Sequence, residues 1–205
     1  MDEYDTAVRN FHSDGRYGRD PGFHERKVVD GMSDNKNQLE VFFDYSCPYC
    51  KRGHDNLLIV YKEFKDLEIV WRPCEAHPRP EKYGRHSDLC IMGLFYAMDN
   101  GADVWAYHEA MYKAGVTDKA DIENICSLSE YVKTILNVDG FKKALQDNVY
   151  QQRVLDYNDY AYERSGVWAV PSYRMNGKKL DAKLGVGVSR DELLEFVKNG
   201  IDANA

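Results

Sequence analysis

The sequence predicts an α/β fold in which a βαβ unit and a ββα unit are separated by an α-helical insertion. Three observations predict it. A strand-like run, Val41 to Ser46, leads into Cys47-Pro48-Tyr49-Cys50 and then into a helical pattern. Beyond the break at His77-Pro78-Arg79-Pro80 the pattern stays helical as far as Ser165-Gly166. After that, Asn176-Gly177 between two apolar runs is a strong hairpin signal, and Ser189-Arg190-Asp191-Glu192 is a capping box that opens a last helix.

In order, residues 1–37 are polar, with Gly15, Gly18 and Pro21-Gly22, and carry no periodicity; they read as a flexible extension. Within them, Arg26 to Val29 could form a short edge strand before the Asp30-Gly31 turn. Leu39 to Tyr45 is β-branched and aromatic, hence a buried strand. Pro48 to Phe64 is a helix whose apolar stripe is Leu57, Leu58, Tyr61 and Phe64, in phase with Cys50. Leu67 to Arg72 is a second strand, stopped by Pro73. Strand, helix, strand at this spacing is a parallel pair with a right-handed crossover. Helical segments follow over Ser87 to Met98, Asp103 to Lys113, Leu128 to Leu136, Asp139 to Leu145 and Asn148 to Arg164. Val167 to Met175 reads as a strand containing Pro171, and a cis Val170-Pro171 bond would reconcile the proline with it. Lys178 to Leu180 is its hairpin partner. The last helix buries Leu193, Leu194, Val197 and Ile201. The expected layout is therefore an extension over 1–37, a sheet domain over 38–82 and 166–205, and an inserted helical subdomain over 83–165.

The chain has 205 residues, enough for one substantial core. Its net charge of -7 argues against nucleic acid or an anionic membrane as partner. No apolar run approaches the length of a membrane span. The start, Met1-Asp2-Glu3-Tyr4-Asp5, has no apolar stretch of the signal-peptide kind. A cytoplasmic location is the expectation for the chain as written, and an extracytoplasmic one if a leader was removed.

The chemistry lies in the cysteines: Cys47, Cys50, Cys74, Cys90 and Cys126. Only two are closely spaced, which is one working pair and not a disulfide framework. The pair falls at the first turn of a helix. Unpaired N–H groups and the positive end of the helix dipole stabilise a thiolate there. Pro48 suits that turn, because its missing N–H would have had no partner. Cys90 and Cys126, in apolar helical settings, read as small buried hydrophobes.

Phe42-Phe43-Asp44-Tyr45-Ser46-Cys47-Pro48-Tyr49-Cys50, Glu68-Ile69-Val70-Trp71-Arg72-Pro73, His108-Glu109-Ala110-Met111-Tyr112 and Ser165-Gly166-Val167-Trp168-Ala169-Val170-Pro171-Ser172-Tyr173 together resemble the thioredoxin superfamily. More narrowly they are similar to its DsbA-like branch, which includes FrnE-type proteins. The likeness runs from about residue 38 to residue 200. It implies a thioredoxin fold with a large helical insertion and a thiol–disulfide oxidoreductase. Cys47 would be the exposed nucleophile and Cys50 the buried resolving thiol. A cis Pro171 would lie against the pair. Val170 would offer backbone hydrogen bonds to an extended peptide, with Pro48 and Tyr49 framing the substrate. Partners would be a disulfide- or thiol-containing protein and a redox partner, with no nucleic acid and no membrane. No metal or organic cofactor is implied beyond the redox-active disulfide, with glutathione as the candidate co-substrate. Two departures stand out. Val41 sits where the superfamily keeps a buried acid, six residues before the nucleophile, so Asp44, Glu40 or water would have to take the proton. Cys74 stands where FrnE-like chains commonly have Phe, bringing a third thiol towards the edge of the site.

Blander and rival readings apply to the same residues. Cys47 and Cys50 with Cys74 and His77 have a spacing compatible with zinc, although the intervening helix and strand disfavour a compact knuckle. A glutathione-dependent isomerase or transferase of the same fold typically has Ser at the nucleophile position. A peptide-binding module without catalysis is the third rival. Asp44 is as readily a strand residue with a local hydrogen bond. His54 reads as a surface helical residue, His108 as a satisfied packing histidine, His77 and His86 as loop residues. Tyr150, Tyr157, Tyr160 and Tyr162 read as helix packing.

Overall fold

The computed structural model describes residues 35–203; the expected edge strand at 26–29 and nearly all of the expected extension lie outside them. A four-stranded mixed sheet has the order β2-β1-β3-β4, with β1 Gln38–Phe43, β2 Glu68–Pro73, β3 Ser172–Met175 and β4 Lys178–Asp181. β1 and β2 are parallel; β3 runs antiparallel to β1 and to β4. Helix α1, Pro48–Glu63, makes the crossover from β1 to β2. Between β2 and β3 come α2 Asp88–Asp99, α3 Val104–Tyr112, α4 Ile125–Val132, α5 Val138–Gln146 and α6 Gln151–Asp159. Helix α7, Arg190–Asp202, closes the chain, and α1 and α7 pack on each other. This is an α/β thioredoxin fold carrying a helical insertion.

Local signals account for most element ends. Pro48 occupies the first turn of α1, as its missing N–H allows. Asp103, Asn124 and Asn137 cap α3, α4 and α5 by accepting from backbone N–H groups. Ser189 and Glu192 form the reciprocal capping box of α7. Asn176 and Gly177, both with positive φ, make the β3–β4 hairpin. Two helices run on into a wider π geometry, α3 over Lys113–Thr117 and α6 over Tyr160–Arg164.

Other expectations shift. β1 stops at Phe43, because Asp44 turns the chain: its carboxylate accepts from the backbone N–H of Ser46 at 2.6 Å. Pro171 lies just before β3 and not inside a strand, so no ladder bond is lost to it. The helix expected over Leu128 to Leu136 instead spans Ile125–Val132, started by the Asn124 cap. The buried stripe of α1 is Cys50, Gly53, His54, Leu57 and Val60, whereas Tyr61 is exposed. The buried face turns towards Gly53, against which Pro171 and Tyr173 lie, while Trp105 and His108 of α3 cover His54. In α7, Leu193 and Val197 are buried and Leu194 and Ile201 only partly so.

The inserted helices do not form a separate core. Phe43 and Tyr45 from the sheet side pack with His108, Tyr107 and Tyr112 from α3, and one cluster of buried side chains spans both parts. Phe95 of α2 meets Tyr157 of α6 at 4.9 Å. Tyr160 and Tyr157 flank the guanidinium of Arg72, fully buried on β2 and held at 2.7 Å by Glu40.

Candidate active site

The end of β1 and the start of α1 place the cysteine pair. Cys47 is the cap residue of α1, and its carbonyl accepts from the N–H groups of Cys50 and Lys51. The first turn of α1 holds no acidic residue to compete for the helix dipole. The two cysteines are not joined by a disulfide, and their thiols are hydrogen-bonded to each other. Cys50 Sγ also accepts from the backbone N–H of Asp44 at 3.4 Å. Burial, with the hydrogen bond and charge of Cys47, pushes the Cys50 thiol well above its usual range, while the Asp44 N–H pulls the other way.

The second segment of the site comes from the turn before β3. Cys47 Sγ lies 3.8 Å from the carbonyl oxygen of Val170, to which it can donate. The Val170–Pro171 peptide is cis, as is Arg79–Pro80. Pro171 also packs against α1, where a Cβ on Gly53 would lie 3.0 Å from its Cγ. Contrary to the expectation of an exposed nucleophile, only 1% of the surface of Cys47 is accessible, with the Val170 carbonyl lying against its sulfur. Pro48 is exposed and Tyr49 half-buried, with the Arg52 guanidinium 5.2 Å from the Tyr49 ring. Arg52 also donates to the carbonyl of Val186, tying the loop after β4 to this side of α1.

Asp44 is fully buried. One carboxylate oxygen takes Ser46 N–H and hydroxyl, at 2.6 and 2.8 Å, and the other takes Ala76 N–H at 2.5 Å. Cys74 is fully buried as well, beside the Tyr162 hydroxyl, and burial drives its thiol pKa far upward. Its backbone extends the β1–β2 pairing through Phe43. A third thiol thus lies behind the site in the core and offers no accessible sulfur.

Several residues behave differently from their sequence reading. His54 is buried, one turn after Cys50, with Nε2 3.0 Å from Glu109 Oε1 and its ring against Trp105, Tyr112 and His108. Burial lowers its pKa, opposed by Glu109. Its i+4 spacing from Cys50 was the available signal, but the cover from α3 was not visible in sequence. His108 packs as expected, with Nδ1 2.8 Å from the Tyr45 hydroxyl; burial and His54 hold its pKa well below the usual value. Its Nε2 has no hydrogen-bond partner among the described residues. His77 and His86 are loop residues, but buried ones. Cys90 is buried, whereas Cys126 is exposed on the outer side of the first turn of α4, contrary to expectation.

Glu75 was not singled out by sequence. Asn158 grips it twice, donating to Oε2 at 2.9 Å and accepting from its N–H at 2.8 Å. Burial and the nearby Asp88 push its carboxyl up to about 8. A small cavity of about 10 Å³ lies behind Cys50, bounded also by His54, Tyr112, Pro171 and Tyr173. A larger one, about 430 Å³, is lined by Lys36, Glu40, Arg164, Arg174 and Lys179 and includes no cysteine. Among the described residues no group of three His, Cys, Asp or Glu side chains is arranged to hold a metal ion. No helix among them is long and apolar enough to cross a membrane.

Comparison with known proteins fits this geometry. The uncharacterised protein YwbO of Bacillus subtilis is 24% identical over 172 residues, covering 66% of this chain and 84% of its own. DsbA of Chlamydia trachomatis superposes with a TM-score of 0.65 at 16% identity, over 85% of this chain and 91% of its own. A 2-hydroxychromene-2-carboxylate isomerase superposes at 0.61 and 14% identity, over 82% and 95%. At these identities the two structures speak to fold alone. The model of the DSBA-like thioredoxin domain matches residues 38–197, which include the cysteine pair, the helical insertion and the Val170-Pro171 turn, and the chain belongs to that family.

Proposed function

We propose that the protein is a thiol–disulfide oxidoreductase that exchanges disulfides with protein or small-thiol substrates through Cys47 and Cys50. The observation that carries this reading is the hydrogen-bonded dithiol at the N-terminus of α1, held against the Val170 carbonyl. The Cys47 thiolate attacks a substrate disulfide, one substrate sulfur leaves, and a mixed disulfide remains. Cys50 then attacks Cys47, its own disulfide closes, and the second substrate sulfur departs reduced. Run backwards, the same steps oxidise a substrate dithiol.

An approaching peptide would displace the Cys47 contact with Val170 and use that backbone for strand-like hydrogen bonds. Pro48 and Tyr49 would form the rim. Exposed Trp168, two residues before Val170, and exposed Val186, whose carbonyl holds Arg52 of α1, offer apolar contact. Glutathione is the small thiol that would serve as co-substrate. The rival reading, a glutathione-dependent isomerase of the same fold, is disfavoured by a two-cysteine pair with hydrogen-bonded thiols, which suits exchange. In the test, redox buffers of graded glutathione potential are followed by mass spectrometry of Cys47 and Cys50. The expected result is cooperative closure of that one disulfide, and a trapped Cys47 adduct in Cys50→Ser. A pair that stays open at every potential would sink the reading.

A further inference from the structure

We propose that His54, backed by Glu109, receives the proton that Cys50 must release to resolve the mixed disulfide, by way of a water held in the cavity between them. The proposal rests on the exchange function above and names a group for a step that function leaves open.

The cavity behind Cys50 measures about 10 Å³, roughly the space one water centre needs. Val41, an apolar residue, lines it from β1. Its polar boundary includes Cys50, His54 and Tyr173, whose buried hydroxyl has no hydrogen-bond partner among the described residues. A water there would find the two or more partners that buried waters keep. Residues 50 and 54 are one turn apart on a single helix face.

His54 has the right chemistry. A carboxylate only accepts, so the 3.0 Å contact with Glu109 assigns the hydrogen to Nε2 and leaves Nδ1 as the acceptor of the neutral ring. Glu109 is half exposed, so it links the buried ring to bulk solvent. Burial keeps the ring neutral and receptive near pH 7. The other groups facing it are Lys51 and Asp55 on its own helix and His108 and Tyr112 on α3. Cys50 faces Cys47, Asp44, Tyr112 and Tyr173.

The two rival carboxylates are engaged elsewhere. Glu40 holds Arg72 at 2.7 Å and accepts from Tyr160 at 2.8 Å. Asp44 holds Ser46 and Ala76. In the proposed step the Cys50 S–H bond breaks and its proton passes to the water, which gives a proton to His54 Nδ1. The sulfur lone pair forms the bond to Cys47 Sγ. The bond from Cys47 to the substrate sulfur breaks, and the substrate leaves as a thiolate with that electron pair. The imidazolium, paired with Glu109, then returns its proton to solvent.

The experiment reacts the reduced full chain with a peptide disulfide and follows release of the second peptide thiol across a pH series. His54→Gln is expected to slow this release about 10- to 100-fold near neutral pH, with the deficit closing as hydroxide takes over at alkaline pH. Glu109→Gln, at a half-exposed position that keeps the fold, is expected to slow it about threefold with a shifted pH profile. Alkylation of Cys47 in a Cys50→Ser background should be the same with and without each change, which separates proton removal from general damage. Release rates and pH profiles equal to wild type in Glu109→Gln, or in a folded His54→Gln, overturn the proposal and leave the exchange reading standing. A wild-type protein that forms the mixed disulfide and never resolves it overturns both.

Discussion

The carboxylate of Asp44 and the backbone N–H of Ala76 are joined by a 2.5 Å hydrogen bond. It ties the turn that carries Cys47 to the chain leaving β2. The same side chain holds Ser46 through two more bonds. Asp44 therefore acts as a clamp on the loop between β1 and α1, and a buried one.

Asp44→Ala should remove that clamp. The buried Ala76 N–H and the part-buried Ser46 N–H would lose their acceptor, and each unsatisfied buried donor costs about 1–3 kcal/mol. Urea denaturation is expected to show a loss of roughly 3 kcal/mol with an unchanged slope. A loss below about 1 kcal/mol would mean that water replaces the carboxylate.

Glu75 should make stability depend on pH. Its folded-state pKa is raised, from 4.5 to about 8. Between those values the folded chain holds a proton that the unfolded chain has lost. This contribution is therefore fully present below the unfolded pKa and is lost as pH rises through the folded one. Glu75→Gln keeps a neutral, hydrogen-bonding side chain beside Asn158 and removes the titration. The variant is expected to gain on wild type by roughly 2–4 kcal/mol between pH 5 and pH 8. Paired denaturation curves at the two pH values check it.

Gly53 faces a tight neighbourhood. A Cβ there would lie 2.8 Å from the Tyr173 hydroxyl oxygen and 3.0 Å from Pro171 Cγ. Alanine is the better helix former by about 1 kcal/mol. Overpacking against a stiff proline ring costs about 1–3 kcal/mol. The clash is expected to win, so Gly53→Ala should melt lower than wild type and react more slowly at Cys47. A higher melting temperature would show that Pro171 yields easily.

The thiols should sort by burial. Cys126 is exposed, while Cys74 and Cys90 are fully buried with thiols pushed upward by that burial. Native-state labelling of a Cys47→Ser/Cys50→Ser protein by an aromatic disulfide reagent is expected to find Cys126 at once. Cys74 and Cys90 should react only after denaturant is added. Rapid native labelling of Cys74 would place a second reactive thiol in play.

Short-range signals made much of this protein legible. Pro48 after Cys47 marked the start of α1, Asn176-Gly177 marked the hairpin, and Ser189 with Glu192 marked α7. Each acts within a few residues, through a fixed φ, a positive φ or a reciprocal side-chain bond, so the rest of the chain need not be known. The spacing of residues 47 and 50 belongs to the same class.

Burial was not legible in the same way. Helical periodicity states which residues share a face, but not which element covers it. His54 read as a surface residue until Trp105 and Tyr112 of α3 closed over it. Cys126 read as buried, yet α4 turns it outward. The sequence by itself determined the order of elements, their caps and the paired thiols at a helix start. Only the tertiary structure decided that Val170 covers Cys47, that His54 and Tyr173 bound a cavity behind Cys50, and that Glu75 holds a proton near neutrality. Those outcomes depend on distance through space and on lost solvation, and both arise from contacts between segments far apart in the chain.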